Sequence, residues 1–402
     1  MKIKIEKSVA IGSVTAPPSK SYAHRLLICS ALAEGESTVL GISESDDMKA
    51  TLSCLSSLGV NYIKEQDKIK LNGVNLHIAR SATDFYCNES GSTLRFFIPI
   101  ALAMGGKFNF HGTERLISRG ISVYEEICKD QGIICVKHSD KISFEGKLKP
   151  NTFNVRGDIS SQFISGLLFA LPLLNGSSVI NITTELESAK YIDITIDALN
   201  SFGIKIERKN NSFYIEGNQK YTCRCATVEG DASNGAFLDA FNILGGDVSV
   251  LGIKEDTLQA DGIYKEFFSQ IDKGTPTIDI SSCPDLGPIL FALSAVKNGA
   301  TFIGTRRLKI KESDRASAMA SELLKLGIKT EIYENSVVVH GGKIKAPKEA
   351  LYGHNDHRIV MALSVILTLI GGEIDGCEAV SKSYPDFFEV LKALNIRCEE
   401  IK

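Results

Sequence analysis

The chain has 402 residues, with 45 Lys and Arg against 48 Asp and Glu and a formal net charge of -3 at pH 7. This length exceeds one typical hydrophobic core and predicts two domains. The balanced charge, without a long Lys/Arg block, argues against a nucleic-acid partner. The longest apolar stretch, residues 359–370, is shorter than the roughly 18 to 20 residues of a membrane span, so we expect no membrane segment.

Ten cysteines are scattered along the chain without a CxxC pair. This distribution is typical of free thiols in a reducing compartment and offers no zinc-like ligand set. The first ten residues, MKIKIEKSVA, lack the apolar region of a signal peptide. We therefore expect a cytoplasmic protein.

The first predicted helix begins within residues 17–25, which read PPSKSYAHR. Prolines fix the approach to the helix, and the i,i+4 spacing stacks Lys20 over His24 and Ser21 over Arg25. Because a helix N-terminus already favours phosphate, two cations and two hydroxyls there predict an anion site. The alternative is an ordinary basic helix start on the surface.

A unit recurs along the chain, in which a helical pattern ends at a glycine and two alternating apolar strands follow. The glycines of the four clear copies are Gly59, Gly132, Gly203 and Gly327. Each glycine is expected to end a helix ahead of a β-hairpin. The long repeat excludes a solenoid and favours six small α/β units, three in each domain, with a boundary near residues 228–231.

Five further junctions place hydroxyl, amide or cationic side chains directly before an apolar or helical run. They are NESGSTLR (88–95), GDISSQ (157–162), KESDR (311–315), NDHR (355–358) and SKSYPD (381–386). The guanidinium in NESGSTLR, KESDR and NDHR is suited to bidentate binding of carboxylate or phosphate. GDISSQ offers two hydroxyls and an amide, and SKSYPD offers a lysine between hydroxyls, so all five junctions are candidate anion sites. Each is also compatible with an ordinary helix cap and a surface ion pair.

Other signatures of phosphate or metal chemistry are missing from the sequence. No GxxxxGK[ST] segment occurs, which argues against a P-loop kinase, and no GxSxG elbow occurs. His354 and His357 are candidate metal ligands, but no third ligand is spaced to join them. We expect distributed Arg and Lys side chains to hold phosphate without a metal.

Ten motifs in chain order resemble those of the 5-enolpyruvylshikimate-3-phosphate synthase family. They are PPSKSYAHR, ESGSTLR, ERLISR, DISSQF, SAKYIDIT, GDAS, CPD, KESDR, NDHR and SKSYPDFF, and they span nearly the whole chain. The resemblance implies an α/β (α+β) fold, a two-domain inside-out α/β barrel of six repeated βαβαββ-type units, three per domain. It also implies a discontinuous domain of residues 1–17 plus 230–402, a second domain of residues 18–229 and an active site in the interdomain cleft.

The implied activity is transfer of the enolpyruvyl group of phosphoenolpyruvate to the 5-hydroxyl of shikimate 3-phosphate, releasing phosphate. This step belongs to the shikimate pathway, which leads to chorismate and the aromatic amino acids. The resemblance implies no metal and no organic cofactor. The expected partners are the two small-molecule substrates, and we expect a monomer.

The resemblance assigns residues of this chain to each substrate. The shikimate 3-phosphate set is Ser21, Arg25, Ser160, Ser161, Gln162, Ser188, Asp285 and Lys311. The phosphoenolpyruvate set is Lys20, Gly91, Arg119, Arg315, Arg358 and Lys382. Asp285 is the expected base for the 5-hydroxyl, and Glu312 the group that moves a proton at the methylene carbon. Lys20 is expected to stabilise developing charge together with Lys311.

Three alternatives remain at this point. The sister transferase acting on UDP-N-acetylglucosamine shares the fold and chemistry, but it usually presents a cysteine in a loop, and residues 111–121 contain none. A catalytically inactive phosphometabolite-binding homologue differs only in turnover, so an activity assay must separate it. A nucleic-acid-binding module of repeated α/β units is disfavoured by the acidic balance and the lack of aromatic platforms among basic residues.

Overall fold

Strands and helices alternate along the chain in the computed structural model, which describes residues 1–74, 80–186 and 189–401. The strands are β1 (Lys2–Ile5), β2 (Ile11–Thr15), β3 (Ala33–Leu40), β4 (Asn61–Glu65), β5 (Lys68–Gly73), β6 (Arg80–Tyr86), β7 (Gly106–His111), β8 (Ile134–Lys137), β9 (Lys141–Gly146), β10 (Thr152–Val155), β11 (Ser178–Ile182), β12 (Ile206–Lys209), β13 (Ser212–Ile215), β14 (Tyr221–Thr222), β15 (Cys225–Thr227), β16 (Asp247–Leu251), β17 (Thr277–Asp279), β18 (Gly299–Ile303), β19 (Thr330–Ile332), β20 (Ser336–His340), β21 (Leu351–Tyr352), β22 (Gly372–Asp375) and β23 (Cys398–Ile401).

The α-helices lie between these strands. They are α1 (Lys20–Leu32), α2 (Asp46–Ser57), α3 (Gly91–Met104), α4 (Glu114–Ser118), α5 (Ser122–Gln131), α6 (Ser161–Ala170), α7 (Ala189–Ser201), α8 (Ala232–Ile243), α9 (Tyr264–Lys273), α10 (Gly287–Val296), α11 (Arg315–Lys325), α12 (His357–Ile370) and α13 (Phe387–Ala393). None of the helices in the described part of the chain is long and apolar enough to cross a membrane.

The chain divides into two compact units. Unit 1 comprises Met1–Pro17 and Gly230–Lys402, and unit 2 comprises Pro18–Glu229. Within the described ranges, unit 2 holds the sheets β14-β3-β5-β4 (with β15 also on β3), β6-β7-β9-β8 and β10-β11-β13-β12. Unit 1 likewise holds β21-β22-β1-β23, β16-β2 and β17-β18-β20-β19.

One strand order is repeated in most of these sheets. In the third sheet of unit 2, β10 is parallel to β11, β11 is antiparallel to β13, and β13 is antiparallel to β12. The sheets built from β6–β9 and β17–β20 have the same order and the same βαβαββ sequence of elements. The predicted repeat of small α/β units is therefore confirmed.

The glycines that were predicted to end helices do so. The backbone φ angles of Gly59, Gly132, Gly203 and Gly327 are 90°, 67°, 84° and 85°, a region that favours glycine because it has no Cβ. Each is followed by an antiparallel pair: β4 with β5, β8 with β9, β12 with β13, and β19 with β20.

The N-terminal strands complete sheets whose other members lie far along the chain. Strand β1 is antiparallel to both β22 and β23. It lies between these two strands and completes the sheet β21-β22-β1-β23. Strand β2 is parallel to β16. These pairings are the reason that the first seventeen residues belong to unit 1.

Several helices are buried along most of their length, and their first turns carry the polar motifs. In unit 2 these are α1, α3 and α6, and in unit 1 they are α10 and α12. Apolar side chains on all faces favour burial of the helix body, while caps and charges must collect at its ends. The fold therefore concentrates polar groups at the helix N-termini.

Gly166 allows helices α3 and α6 to approach closely. A Cβ atom there would lie 2.3 Å from both the Arg95 carbonyl oxygen and the Tyr124 hydroxyl. We predict that Gly166→Ala lowers the free energy of unfolding by about 1–3 kcal/mol, because overpacking outweighs the better helix propensity of alanine. Urea unfolding measures this change.

Gly274 provides the control for that substitution. Its φ is 179°, and a Cβ atom there would meet no atom of the described residues within 4 Å. Gly274→Ala should leave the urea midpoint near that of the wild type. Equal midpoints for Gly166→Ala and the wild type would contradict the packing argument.

Candidate active site

Asp285 lies at the centre of a charged cluster in unit 1. It belongs to a short 3-10 turn directly before α10, and its side chain is 20% exposed. Its carboxylate contacts Nη1 of Arg315 at 2.7 Å, Nζ of Lys311 at 3.0 Å and Nη2 of Arg358 at 3.4 Å. Three cations therefore surround one carboxylate.

The pKa values of this cluster follow from burial and charge. Burial alone would raise the pKa of the Asp285 carboxyl, but the three cations outweigh it and hold that pKa well below the ordinary value. Burial lowers the pKa of Lys311, and Arg307 and Arg315 add to this shift although Asp285 opposes it. Both pKa values shift downward because burial of the Lys311 ammonium, aided by the two guanidinium groups, outweighs the attraction of Asp285. Asp285 is thus an ionised carboxylate at neutral pH.

Arg315 is held by carboxylates on all of its nitrogen atoms. It is the first residue of α11, only 1% of its side chain is exposed, and Asp314 caps the helix. Its Nε donates to Asp356 at 2.9 Å, and its Nη2 donates to Glu312 at 2.8 Å. Burial would lower the pKa of Arg315, but the carboxylates raise it well above the ordinary value. Arg315 therefore stays charged, and these hydrogen bonds fix the orientation of its guanidinium.

Asp356 joins two of the predicted site residues. It caps α12 by accepting the backbone N–H of Arg358, and it also accepts from the Ser313 hydroxyl at 3.0 Å. Nε and Nη1 of Arg358 are buried without a hydrogen-bond partner among the described groups, and its guanidinium lies 5.9 Å from the Phe237 ring centroid. Buried donors of this kind need an acceptor, and an anionic ligand would supply one.

Lys382 lies beside the same segment. Its Nζ donates to the carbonyl oxygen of Asn355 at 2.7 Å, one residue before Asp356. Four of the predicted cations of unit 1 therefore lie at or next to carboxylates of the KESDR, NDHR and CPD motifs. They are Lys311, Arg315, Arg358 and Lys382.

In unit 2, the start of α1 carries Lys20, Ser21 and Arg25. Nζ of Lys20 forms an ion pair with Asp47, at the start of α2, at 2.7 Å. Ser19 is the N-cap residue, but its side chain makes no capping hydrogen bond. The side chain of Lys20 is 16% exposed.

Arg25 is engaged by protein groups in this structure. Its Nε donates to the Thr195 hydroxyl at 2.7 Å, and its two terminal nitrogens donate to the carbonyl oxygens of Ser21 and Tyr191. Burial lowers its pKa to about 10, which nevertheless keeps it charged at neutral pH. Its guanidinium also lies 5.2 Å from the Phe96 ring centroid.

Gly91 and Arg119 meet at the start of α3. A Cβ atom on Gly91 would lie 3.0 Å from Nη1 of Arg119, so a glycine is what allows the guanidinium to lie over this helix start. Ser90 caps the helix by accepting from the backbone N–H of Thr93. Nε of Arg119 is buried without a hydrogen-bond partner in the described structure. The arrangement combines a cation with a helix N-terminus, both of which attract anions.

The start of α6 is joined to the same region through Gln162. Its Oε1 accepts from Nη1 of Arg95 at 2.6 Å, and its Nε2 donates to the Ser92 hydroxyl at 2.9 Å. Ser160 caps α6 by accepting from the backbone N–H of Gln162, and Ser161 is the first helical residue. Arg95 also donates to the carbonyl oxygen of Gly120, next to Arg119.

The predicted residues thus lie in two groups, one in each unit, which are called the two clusters; those of unit 2 lie at the starts of α1, α3 and α6, with Arg119 beside Gly91. Asp285, Lys311, Glu312, Arg315, Arg358 and Lys382 lie in unit 1, and Lys20, Ser21, Arg25, Gly91, Arg119, Ser160, Ser161 and Gln162 lie in unit 2. Ser188 lies outside the described residues. The assignment of each side chain to a substrate stays a prediction.

Sequence reasoning gave no substrate role to three residues that contact the predicted site residues. Asp47 pairs with Lys20, Asp356 pairs with Arg315, and Arg95 binds Gln162. Asp356 and Arg95 belong to the motifs NDHR and NESGSTLR, and this membership could have marked them as site residues. Asp47 is the second residue of α2 and belongs to none of the recognised motifs.

The two candidate metal ligands do not form a metal-binding set. Nε2 of His354 lies 2.8 Å from Oε1 of Glu322, and His357 is buried at the start of α12. No group of three or more His, Cys, Asp or Glu residues suited to a metal ion occurs within residues 1–74, 80–186 and 189–401.

Comparison with known proteins identifies the family. A model described as EPSP synthase (3-phosphoshikimate 1-carboxyvinyltransferase) matches residues 5–391. A protein of Clostridium kluyveri named 3-phosphoshikimate 1-carboxyvinyltransferase is 41% identical over 99% of this chain and 98% of its own length. A protein of Clostridioides difficile with the same name is also 41% identical, over 99% of this chain and 98% of its own length.

Solved structures with the same fold belong to this family as well. Two structures titled EPSP synthase from Acinetobacter baumannii match with TM-scores of 0.77 and 0.79. They cover 99% and 100% of this chain and all of their own, at 22% and 21% identity. The family model and the names of the relatives describe an enolpyruvyl transferase. This chain belongs to the EPSP synthase family, which confirms the resemblance inferred from the motifs.

The low pKa of Asp285 gives a prediction for acid unfolding. An unfolded aspartate takes up a proton near pH 3.9, whereas folded Asp285 stays ionised to lower pH, so its contribution to stability is present above about pH 4 and falls as the pH is lowered. The excess stability of the wild type over Asp285→Asn should therefore shrink from pH 5 towards pH 3. Urea unfolding of both proteins across this range measures it.

Lys311→Met provides the matched comparison, because it removes one of the three cations around the carboxylate. In this background the stability lost on Asp285→Asn should change less with pH, since the folded pKa of Asp285 is depressed less. A loss that is constant from pH 5 to pH 3 in the wild-type background would contradict the argument.

Proposed function

We propose that the two clusters together carry out enolpyruvyl transfer from phosphoenolpyruvate to the 5-hydroxyl of shikimate 3-phosphate. The family and the names of its relatives support this reaction. The phosphoenolpyruvate ligands are Lys20, Gly91, Arg119, Arg315, Arg358 and Lys382. The shikimate 3-phosphate ligands are Ser21, Arg25, Ser160, Ser161, Gln162, Asp285 and Lys311, with Ser188 retained from the motif resemblance.

Charge balance supports this division. Two phosphates of roughly -1.5 to -2 each and two carboxylates give the substrates a charge of about -5 to -6 at neutral pH. Seven cations of the clusters oppose it: Lys20, Arg25, Arg119, Lys311, Arg315, Arg358 and Lys382. The buried unpartnered donors of Arg119 and Arg358 are the groups best placed to gain from such anions.

The chemistry is an addition followed by an elimination. In the addition, the carboxylate of Asp285 takes the proton of the 5-hydroxyl, and the oxygen bonds to C2 of phosphoenolpyruvate. Glu312, which takes up a proton from solvent before this step, delivers that proton to C3. In the elimination, Glu312 removes a proton from the new methyl group, the C2–C3 double bond re-forms, and the C–O bond to phosphate breaks. The departing phosphate takes the proton held by Asp285. Lys20 and Lys311 stabilise the charge that develops.

The observation that carries this mechanism is the contact of Asp285 with three cations. The cations keep the carboxylate ionised, which a base requires, but they also reduce its basicity. Anionic substrates compete for the same cations, so their binding would raise the basicity of Asp285. The base would then be strongest when both substrates are present.

The first prediction concerns the acceptor. Purified protein with phosphoenolpyruvate and a chelator should release phosphate with shikimate 3-phosphate and not with UDP-N-acetylglucosamine. Turnover with the sugar nucleotide would place the chain in the cell-wall branch. No turnover with either acceptor would favour a phosphometabolite-binding protein.

The second prediction concerns the proton-transfer groups. Asp285→Asn and Glu312→Gln should each lower kcat by about 10²- to 10⁴-fold, the usual contribution of general acid–base catalysis. Glu349→Gln serves as the control, because Glu349 is 71% exposed and lies 3.6 Å from Nζ of Lys325, outside the charged cluster. Turnover within about threefold of wild type for either site variant would remove that residue from the mechanism.

A further inference from the structure

A strained turn precedes α12. His354 and Asn355 have φ angles of 50° and 53°, so two consecutive non-glycine residues occupy the left-handed region. Asparagine tolerates this region, whereas histidine adopts it at an energetic cost. Such a conformation persists only where the surrounding structure over-determines it. The contacts that hold this turn are therefore informative.

Glu322 holds the turn from the last part of α11. Only 2% of its side chain is exposed. Its Oε1 lies 2.8 Å from Nε2 of His354, and its Oε2 accepts from the backbone N–H of Tyr352 at 3.0 Å. Lys325 contributes a further ion pair at 3.0 Å. Burial would raise the pKa of Glu322, but these three partners lower it, so the carboxylate is ionised at neutral pH.

The opposite end of α11 fixes the same segment. Arg315, the first residue of the helix, binds Asp356 at 2.9 Å. Helix α11 thus holds residues 352–356 at two points. Between those points, the carbonyl oxygen of Asn355 accepts from Lys382, and Asp356 caps the helix that carries Arg358.

We propose that the Glu322–His354 pair is a positioning device that places Lys382 and Arg358 for phosphoenolpyruvate. The inference rests on the proposed function, because it takes these two cations as ligands of that substrate. Neither Glu322 nor His354 touches the reacting atoms. They act by holding the left-handed turn. Asn355 in this turn accepts the hydrogen bond of Lys382, and Asp356 after it caps the helix that carries Arg358.

His354→Gly separates positioning from stability. Glycine adopts a φ of 50° without strain but cannot bond to Glu322, so the variant should unfold at a urea concentration close to that of the wild type. Its KM for phosphoenolpyruvate should nevertheless rise about 10-fold, while its KM for shikimate 3-phosphate stays within about twofold. Loss of a merely structural contact would change both substrates alike.

Asn210→Gly is the matched control, because Asn210 has a φ of 52° in the β12–β13 hairpin. It should leave both KM values unchanged. Glu322→Gln is the second variant, which keeps an acceptor for the Tyr352 N–H but removes the charge. It should raise the KM for phosphoenolpyruvate by about threefold, again without an equal change for the other substrate.

Lys382→Met distinguishes failure of this inference from failure of the proposed function. If Lys382→Met raises the KM for phosphoenolpyruvate but His354→Gly and Glu322→Gln do not, the positioning role is overturned. The same holds if these two variants raise both KM values equally. If Lys382→Met itself leaves that KM unchanged, the ligand assignment fails, and the inference fails with it.

Discussion

The ion pair between Arg315 and Asp356 is the interaction on which the charged cluster depends. Its two side chains are 1% and 0% exposed, so each charge has lost several kcal/mol of hydration that only close partners can offset. The pair joins the first residue of α11 to the cap of α12. Because the guanidinium is anchored by Nε, its two remaining nitrogens are directed to Asp285 and Glu312. The Arg315–Asp356 pair therefore positions Asp285 and Glu312, the two proposed proton-transfer groups.

Unit 2 combines the cations Lys20, Arg25 and Arg119 with neutral polar groups. Gln162 links two helix starts through an amide, and Gly91 admits a guanidinium by lacking a side chain. Amides, hydroxyls and helix N-termini bind anions without adding a full charge, so they repel one another little when no anion is present. Unit 1 instead stores several like charges around carboxylates. The cations of unit 1 thus lie mainly among carboxylates, whereas unit 2 places amide and hydroxyl groups beside its cations.

The sequence predicted those features that depend on neighbouring residues. The glycines at positions 59, 132, 203 and 327, the hairpins after them and the polar helix starts all follow from local preferences. Asp47 could not be paired with Lys20 in this way, because 27 residues separate them. Arg25 and Thr195 are 170 residues apart, and only the packing of α1 beside α7 brings them together. Partners that are distant in the sequence determine the orientation and burial of these side chains, which local sequence patterns do not encode.

The pairing of β1 with β22 and β23 has a consequence for the order of folding. Residues 2–5 are synthesised long before the strands that flank them, residues 372–375 and 398–401. During synthesis β1 has no partner, whereas each described sheet of unit 2 is encoded within one continuous segment. Unit 2 can therefore form while unit 1 is still incomplete. Until β22 and β23 have been synthesised, β1 has unpaired edges, and the charges of Lys2 and Lys4 disfavour its pairing with another chain.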